Sequence, residues 1–228
     1  MFPKVHPEYE ILEELGRGST GVVFKMRDKR IGRVAALKIL IPKPGDEGIV
    51  RQQRFMREAQ AIAACDHPNI ARAFDIGEFE ARHYIVREFV EGKTLQAELE
   101  KELLTTRQAC KMVELLTRPV HYLHNQGIIH RNLTPENVLV AADGTVKLIG
   151  FGKATFIGGS ESVATDIQAL GAMLVLLITG RSWFPEGLSL LPAELAGICM
   201  KACTAHPENQ YHSVAELAED LRRYLRTA

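Results

Sequence analysis

The sequence predicts an α+β protein of two lobes, a small antiparallel sheet with one helix followed by a mainly helical half. Three observations carry that expectation. Strand-like runs crowd the first ninety residues around a single amphipathic stretch, helical periodicity dominates beyond Gly92, and 228 residues of ordinary globular composition suit one domain or two small lobes sharing a cleft. The first lobe is expected over residues 1–91 and the second over 92–228, joined near 88–92.

In chain order, residues 9–41 read as three antiparallel strands, with Val22-Val23-Phe24 and Val34-Ala35-Ala36-Leu37 on either side of the charged turn Asp28-Lys29-Arg30. Residues 42–48 read as a loop. Over 52–64, Phe55, Met56, Ala59, Ile62 and Ala63 recur at helical spacing, and Asp66-His67-Pro68-Asn69 ends that helix. Strands near 70–77 and 84–90 complete the sheet. Helices are expected over 95–103, 107–125, 166–179, 193–204 and 213–226, with short strands at 138–140 and 146–149 joined by an Asp143-Gly144 turn. No internal repeat or low-complexity tract interrupts them.

Composition narrows the function classes. Lys plus Arg and Asp plus Glu each total 28, so net charge attracts neither nucleic acid nor an acidic membrane. The longest strongly apolar run, residues 169–178, falls short of the roughly 18 to 20 residues of a membrane span. The first ten residues lack the apolar core of a secretory signal, and a cytoplasmic location is expected. Cys65, Cys110, Cys199 and Cys203 are too scattered for a disulfide framework. Cys199 and Cys203 with His206, or His121, His124 and His130, could be drawn as metal ligands. Their apolar neighbours favour buried thiols and structural imidazoles.

The chemistry-bearing residues fall in a definite order. Gly16-Arg17-Gly18-Ser19-Thr20-Gly21 has the spacing of a glycine-rich phosphate loop, but a strand follows it instead of a helix, and the Gly-Lys-Ser/Thr of an ordinary P-loop is missing. Ala36-Leu37-Lys38 stands on the next strand, Glu58 on the helix after it, and His67-Pro68-Asn69 beyond. His130-Arg131-Asn132-Leu133-Thr134-Pro135-Glu136-Asn137 precedes two short strands and Gly150-Phe151-Gly152, and residues 166–171 open an apolar helix. Together these signals cover nearly the whole chain and resemble the protein kinase family, in the style of bacterial Ser/Thr kinases. The resemblance implies a two-lobed kinase-like fold with ATP as cofactor. It also implies a nucleotide site of Gly16, Gly18, Gly21, Val23, Ala36, Lys38, Glu58, Glu88, Val90 and Asn137, in which Lys38 pairs the phosphates and Glu58 orients Lys38.

Set against that pattern, Asn132 replaces the aspartate that accepts the substrate hydroxyl's proton, and an amide is no base near neutral pH. Gly150 replaces the aspartate that holds Mg²⁺, leaving Asn137 as the only matched metal ligand and metal binding weak or absent. Thr134 stands where a lysine usually contacts the transferred phosphate. Only 13 residues separate Gly152 from Asp166, without an Ala-Pro-Glu-like triplet, so the activation segment is shortened. Gln210 replaces the arginine that pairs with that glutamate, and residues 183–192 leave no room for the extra helix at the substrate groove. The expectation is a catalytically impaired Ser/Thr kinase-like protein, a pseudokinase, with ATP binding left open, serving as a regulatory or scaffolding module in signalling with another protein as partner. The alternative is a weak or unorthodox ATP-dependent transferase that recruits other carboxylates, of which Glu136 and Asp143 are nearest.

Arg87 occupies the place of an apolar gatekeeper at the end of the last strand of the first lobe. A bulge or one-residue shift sends it to solvent, or it enters the protein and competes with Lys38 for Glu58, or it stands in for a cation near the phosphates.

Overall fold

The computed structural model describes residues 6–18, 21–41, 44–157, 162–181, 187–204 and 206–227. The chain divides into two units. His67–Ile70 belong to the second although they precede the end of the first, and Phe151–Lys153 return to the first.

In the first unit, β1 (Tyr9–Arg17), β2 (Gly21–Asp28), β3 (Val34–Leu40), β4 (Ala73–Phe79) and β5 (Arg82–Glu88) form an antiparallel sheet in the order β1-β2-β3-β5-β4. The register sets Val23, Lys38 and Ile85 in one row and Lys25, Ala36 and Arg87 in the next, so these side chains share one face. The opposite face packs a core of Tyr9, Val22, Phe24, Met26, Ala35, Leu37, Ile39 and Val86. On the first face, Leu40 and Ile85 pack with Phe55 and Ala59 of α1 (Gly45–Ala63).

Helix α1 starts inside the expected loop, at Gly45. Asp46 and Glu47 in its first turn complement the helix dipole, a signal that the apolar spacing did not include. Its buried face is Phe55, Glu58, Ala59, Ala61 and Ile62, whereas Met56 and Ala63, expected to pack, are exposed. The strand expected from residue 70 begins at Ala73 instead. Ile70 makes a single parallel bridge to Leu148 within the second unit.

The second unit opens with β6 (Gly92–Thr94) and α2 (Leu95–Leu99), four residues shorter than expected at its C-terminal end. Leu104 N donates to Leu177 O, drawing the chain after α2 into an extended connection. In α3 (Thr106–Asn125), Thr105 and Gln108 form a capping box, and Val113, Leu116, Val120 and Leu123 are buried at helical spacing. Two-residue strands β7 (Ile128–Ile129) and β10 (Thr155–Phe156) pair with each other, while β6, β8 (Val138–Ala141) and β9 (Val146–Leu148) form a three-stranded sheet. Helix α4 (Ala164–Thr179) is apolar on most sides and ends at Gly180, whose φ of 66° takes the left-handed C-cap conformation. Helices α5 (Ala193–Cys203) and α6 (Val214–Thr227) complete the unit. Gln210, at the expected arginine position, is buried and donates its amide to Ala202 O at 3.1 Å, so it closes the end of α5 without an ion pair. No described helix is long and apolar enough to cross a membrane.

Candidate functional site

In the first unit, the three glycines of the β1–β2 hairpin have different causes. Gly21 lies against β3, and a Cβ there would run into the Ile39 carbonyl, so the sheet itself requires glycine. Gly16 and Gly18 have no left-handed φ, and a Cβ on either would meet nothing within 4 Å. Gly18 N donates to Gly21 O at 2.9 Å. Ser19 and Thr20 lie outside the described residues. Ala36 is buried and Val23 half-buried on the face that carries Lys38. Glu88 closes β5 by donating its N–H to Arg72 O, and Val90 follows half-buried beyond the strand.

Lys38 Nζ lies 2.5 Å from Glu58 Oε2 and 5.8 Å from the Phe55 ring centre. Glu58 is only 2% exposed. Arg87 is 9% exposed, and its Nη1 stands 3.9 Å from Glu58 Oε1. The β3–β5 register is regular through Ala36 and Arg87, and the irregularity beside Arg87 lies on β4, between Ala73 and Asp75, so β5 itself is not shifted and the guanidinium is not turned to solvent. Arg87 does enter the protein and reach Glu58 as an ion pair, but it shares the carboxylate with Lys38 without displacing it, since Lys38 keeps one oxygen while Arg87 faces the other beyond hydrogen-bond distance. Burial pushes the Lys38 ammonium below its ordinary pKa and the charge of Arg87 adds to that, with Glu58 opposing. Gly152 also touches this group: a Cβ there would lie 3.3 Å from Glu58 Oε2. Phe55 and Gly152 were not singled out as site residues, because neither departs from what helix packing or a tight turn already explains.

In the second unit, the loop that carries Asn132 is organised by Asp166 at the start of α4. This carboxylate is 0% exposed and accepts from His130 N at 2.9 Å, Arg131 N at 2.8 Å and His124 Nε2 at 2.9 Å. Burial alone would raise its pKa, but the three donors outweigh burial and hold it below the usual carboxylate range. The Arg131 N–H bond helps to fix Arg131 at a φ of 60°, a left-handed conformation that a non-glycine residue rarely adopts. The apolar run after Asp166 announced the helix, but no local spacing announced three donors arriving from thirty-five or more residues away. His130 Nε2 faces Ile149 O at 3.0 Å, and its Nδ1 accepts from Asn132 N at 3.3 Å.

Asn137 gives its amide hydrogens to Asn132 O at 2.8 Å and Thr134 Oγ1 at 3.2 Å. Its Oδ1 lies over Gly150, which has a φ of 82°, and a Cβ at Gly150 would collide with that oxygen. The amide thus fills the room that a side chain at residue 150 would need. These residues do not fit the implied magnesium ion. They offer one neutral amide oxygen, whereas Mg²⁺ is ordinarily held by one or two carboxylates together with phosphate oxygens. Among the described residues no group of three His, Cys, Asp or Glu could hold a metal ion. Glu136 is exposed, and Asp143 Oδ1 accepts from Thr145 N within its turn. Cys199 is fully buried, and Cys203 Sγ lies 3.4 Å from Gln168 O. Residues 158–161, between Gly152 and Asp166, and residues 183–186 of the 183–192 connection lie outside the described residues.

A family model described as "Protein kinase domain" matches residues 9–165. The "Probable serine/threonine-protein kinase PknB" of Lactococcus lactis is 32% identical over 259 residues, covering 93% of this chain and 41% of that protein. The "Serine/threonine-protein kinase PrkC" of Bacillus subtilis is 30% identical over 277 residues, covering 99% and 41%. The "Serine/threonine-protein kinase PknB" of Mycobacterium tuberculosis is 30% identical over 269 residues, covering 94% and 42%. The chain therefore spans about two fifths of the length of the curated relatives it matches.

Proposed function

Because the chain belongs to the protein kinase family, as a domain of the bacterial Ser/Thr type, we propose that it is a kinase-fold module impaired in ordinary phosphoryl transfer. It keeps a nucleotide site and acts by binding another protein. The observation that carries this reading is that Asn132 and Gly150 stand at the two positions where the family's pattern has aspartates, and that Asn137 Oδ1 occupies the space above Gly150. Losing a general base alone removes about 10²- to 10⁴-fold in rate, and losing the metal's carboxylate adds to that.

The family's fold generally binds ATP. For this chain the supporting observations are Gly16 and Gly18, bare toward open space without a need of their own fold, and Lys38 held by Glu58 in the first unit. The nucleotide reading is tested by the melting temperature with ATP. At about 100 times its dissociation constant a ligand stabilises by about 2.7 kcal/mol, and that shift is expected without Mg²⁺ as well as with it. Absence of a shift with any nucleotide contradicts a nucleotide site.

A second reading is a weak or unorthodox ATP-dependent transferase. The relatives back it better than they back an inert module, since each is named as a kinase. Labelled-phosphate transfer in Mg²⁺ and in Mn²⁺ separates the two.

A further inference from the structure

Two cations and one carboxylate meet on one face of the first unit. Lys38 and Arg87 are diagonal neighbours on adjacent strands, and Glu58 reaches them from α1. The third cation of that face, Lys25, is paired with Glu13 at 3.4 Å. Glu58 is the only carboxylate that acts on Arg87 among the described residues. The group therefore carries one surplus positive charge, held away from bulk water.

Arg87 is the member with spare chemistry. A guanidinium presents five N–H donors and does not deprotonate in proteins. Its nearest carboxylate oxygen is at 3.9 Å, so it is drawn toward Glu58 without a hydrogen bond to it. The donors are not sealed in the core either. Thr155 Oγ1 is the only fully buried side-chain polar atom without a hydrogen-bond partner among the described residues. A largely buried cation whose guanidinium makes no hydrogen bond among the described residues lacks an acceptor, and the matching acceptor is an anion.

We propose that Arg87 and Lys38 form an anion site that takes a phosphate group of a nucleotide without a divalent metal. The proposal rests on the nucleotide-binding reading and adds to it the charge state of the ligand. Metal-free nucleotide is the better ligand, because a bound cation cancels the charge that Arg87 and Lys38 attract and repels both side chains.

The test is equilibrium binding of ATP, adenosine and inorganic tripolyphosphate to the whole chain, in EDTA and in Mg²⁺. Wild type, Arg87→Met and Arg87→Lys are compared, each shown to be folded by its melting curve. Wild type is expected to bind ATP in EDTA at least as tightly as in Mg²⁺. Arg87→Met should weaken metal-free ATP and tripolyphosphate by about tenfold or more, the scale of a lost charge-assisted hydrogen bond, and leave adenosine unchanged. Arg87→Lys should retain part of the affinity. Unchanged or tighter ATP binding by Arg87→Met would overturn the site and make the residue a plug, while leaving nucleotide binding intact. Tripolyphosphate binding that depends on Arg87, with neither ATP nor adenosine preferred over it, would keep the anion site and overturn the nucleotide reading. No binding of any probe would overturn both.

Discussion

At the scale of single residues, the energetics concentrate on two buried carboxylates. Glu58 neutralises Lys38 and moderates Arg87 in a nearly dry setting, so removing its charge leaves two cations facing each other. Glu58→Gln is expected to cost about 3 kcal/mol in urea unfolding, toward the lower end of what breaking a buried ion pair costs. Arg87→Met, which removes the surplus charge and leaves an apolar side chain of similar reach, is expected to be neutral or stabilising. Combined with Glu58→Gln it should recover part of the loss. An additive double variant would show that Arg87 and Glu58 do not interact. The second carboxylate, Asp166, satisfies two backbone N–H groups and His124 at once, and Asp166→Ala is expected to cost about 3 kcal/mol by leaving them unpaired. Its pKa is held below the usual carboxylate range in the folded state. Its contribution is therefore complete above the unfolded value of about 4 and is lost as pH falls through the lower folded value. Urea midpoints from pH 7 down to pH 3 should fall more steeply for the wild type than for Asp166→Ala.

At the scale of elements, close approaches explain glycines that composition does not. A Cβ at Gly171 of α4 would stand 2.7 Å from Ala202 Cβ and 2.9 Å from Cys203 Sγ of α5. Gly171→Ala is expected to destabilise by about 1 to 3 kcal/mol through overpacking, measured by urea unfolding, and an unchanged midpoint would mean that α5 moves freely. Most helices and the five-stranded sheet were legible because apolar periodicity is a local signal: α3, α4 and α6 start and end within two residues of expectation. The start of α1 was not, because its first two turns carry exposed Ile49 and Val50 and are set by acidic residues instead of an apolar face. The two-residue strand β7 was legible only as a strand or loop after α3, and its partner β10 not at all, for a different reason. A pair that short is defined by its partner more than by its own residues. Within the candidate site, the order of motifs pointed to Lys38 and Glu58, but the direction of Arg87 depended on strand register.

At the scale of the whole molecule, a chain in the kinase family holds a Lys38–Glu58 pair and a glycine hairpin in one unit and carries Asn132 and Gly150 in the other. Repairing the residues singly is not expected to restore activity. Gly150→Asp places a side chain at a φ of 82° and against Asn137 Oδ1, so it should lower stability by about 1 to 3 kcal/mol before any metal is gained. A melting temperature unchanged by Gly150→Asp would show that Asn137 yields easily. Even Asn132→Asp with Gly150→Asp should give little transfer to protein substrates, given the short segment between Gly152 and Asp166.

The measurement that bears most directly on the impaired-transfer reading is transfer of labelled γ-phosphate from ATP, to the chain itself and to generic Ser/Thr substrates. It is made in Mg²⁺ and in Mn²⁺, beside Lys38→Met as the blank. The expected result is incorporation by the wild type no greater than that of Lys38→Met under either metal. Metal-dependent incorporation well above that blank would contradict it and establish this domain as a working, if unorthodox, transferase.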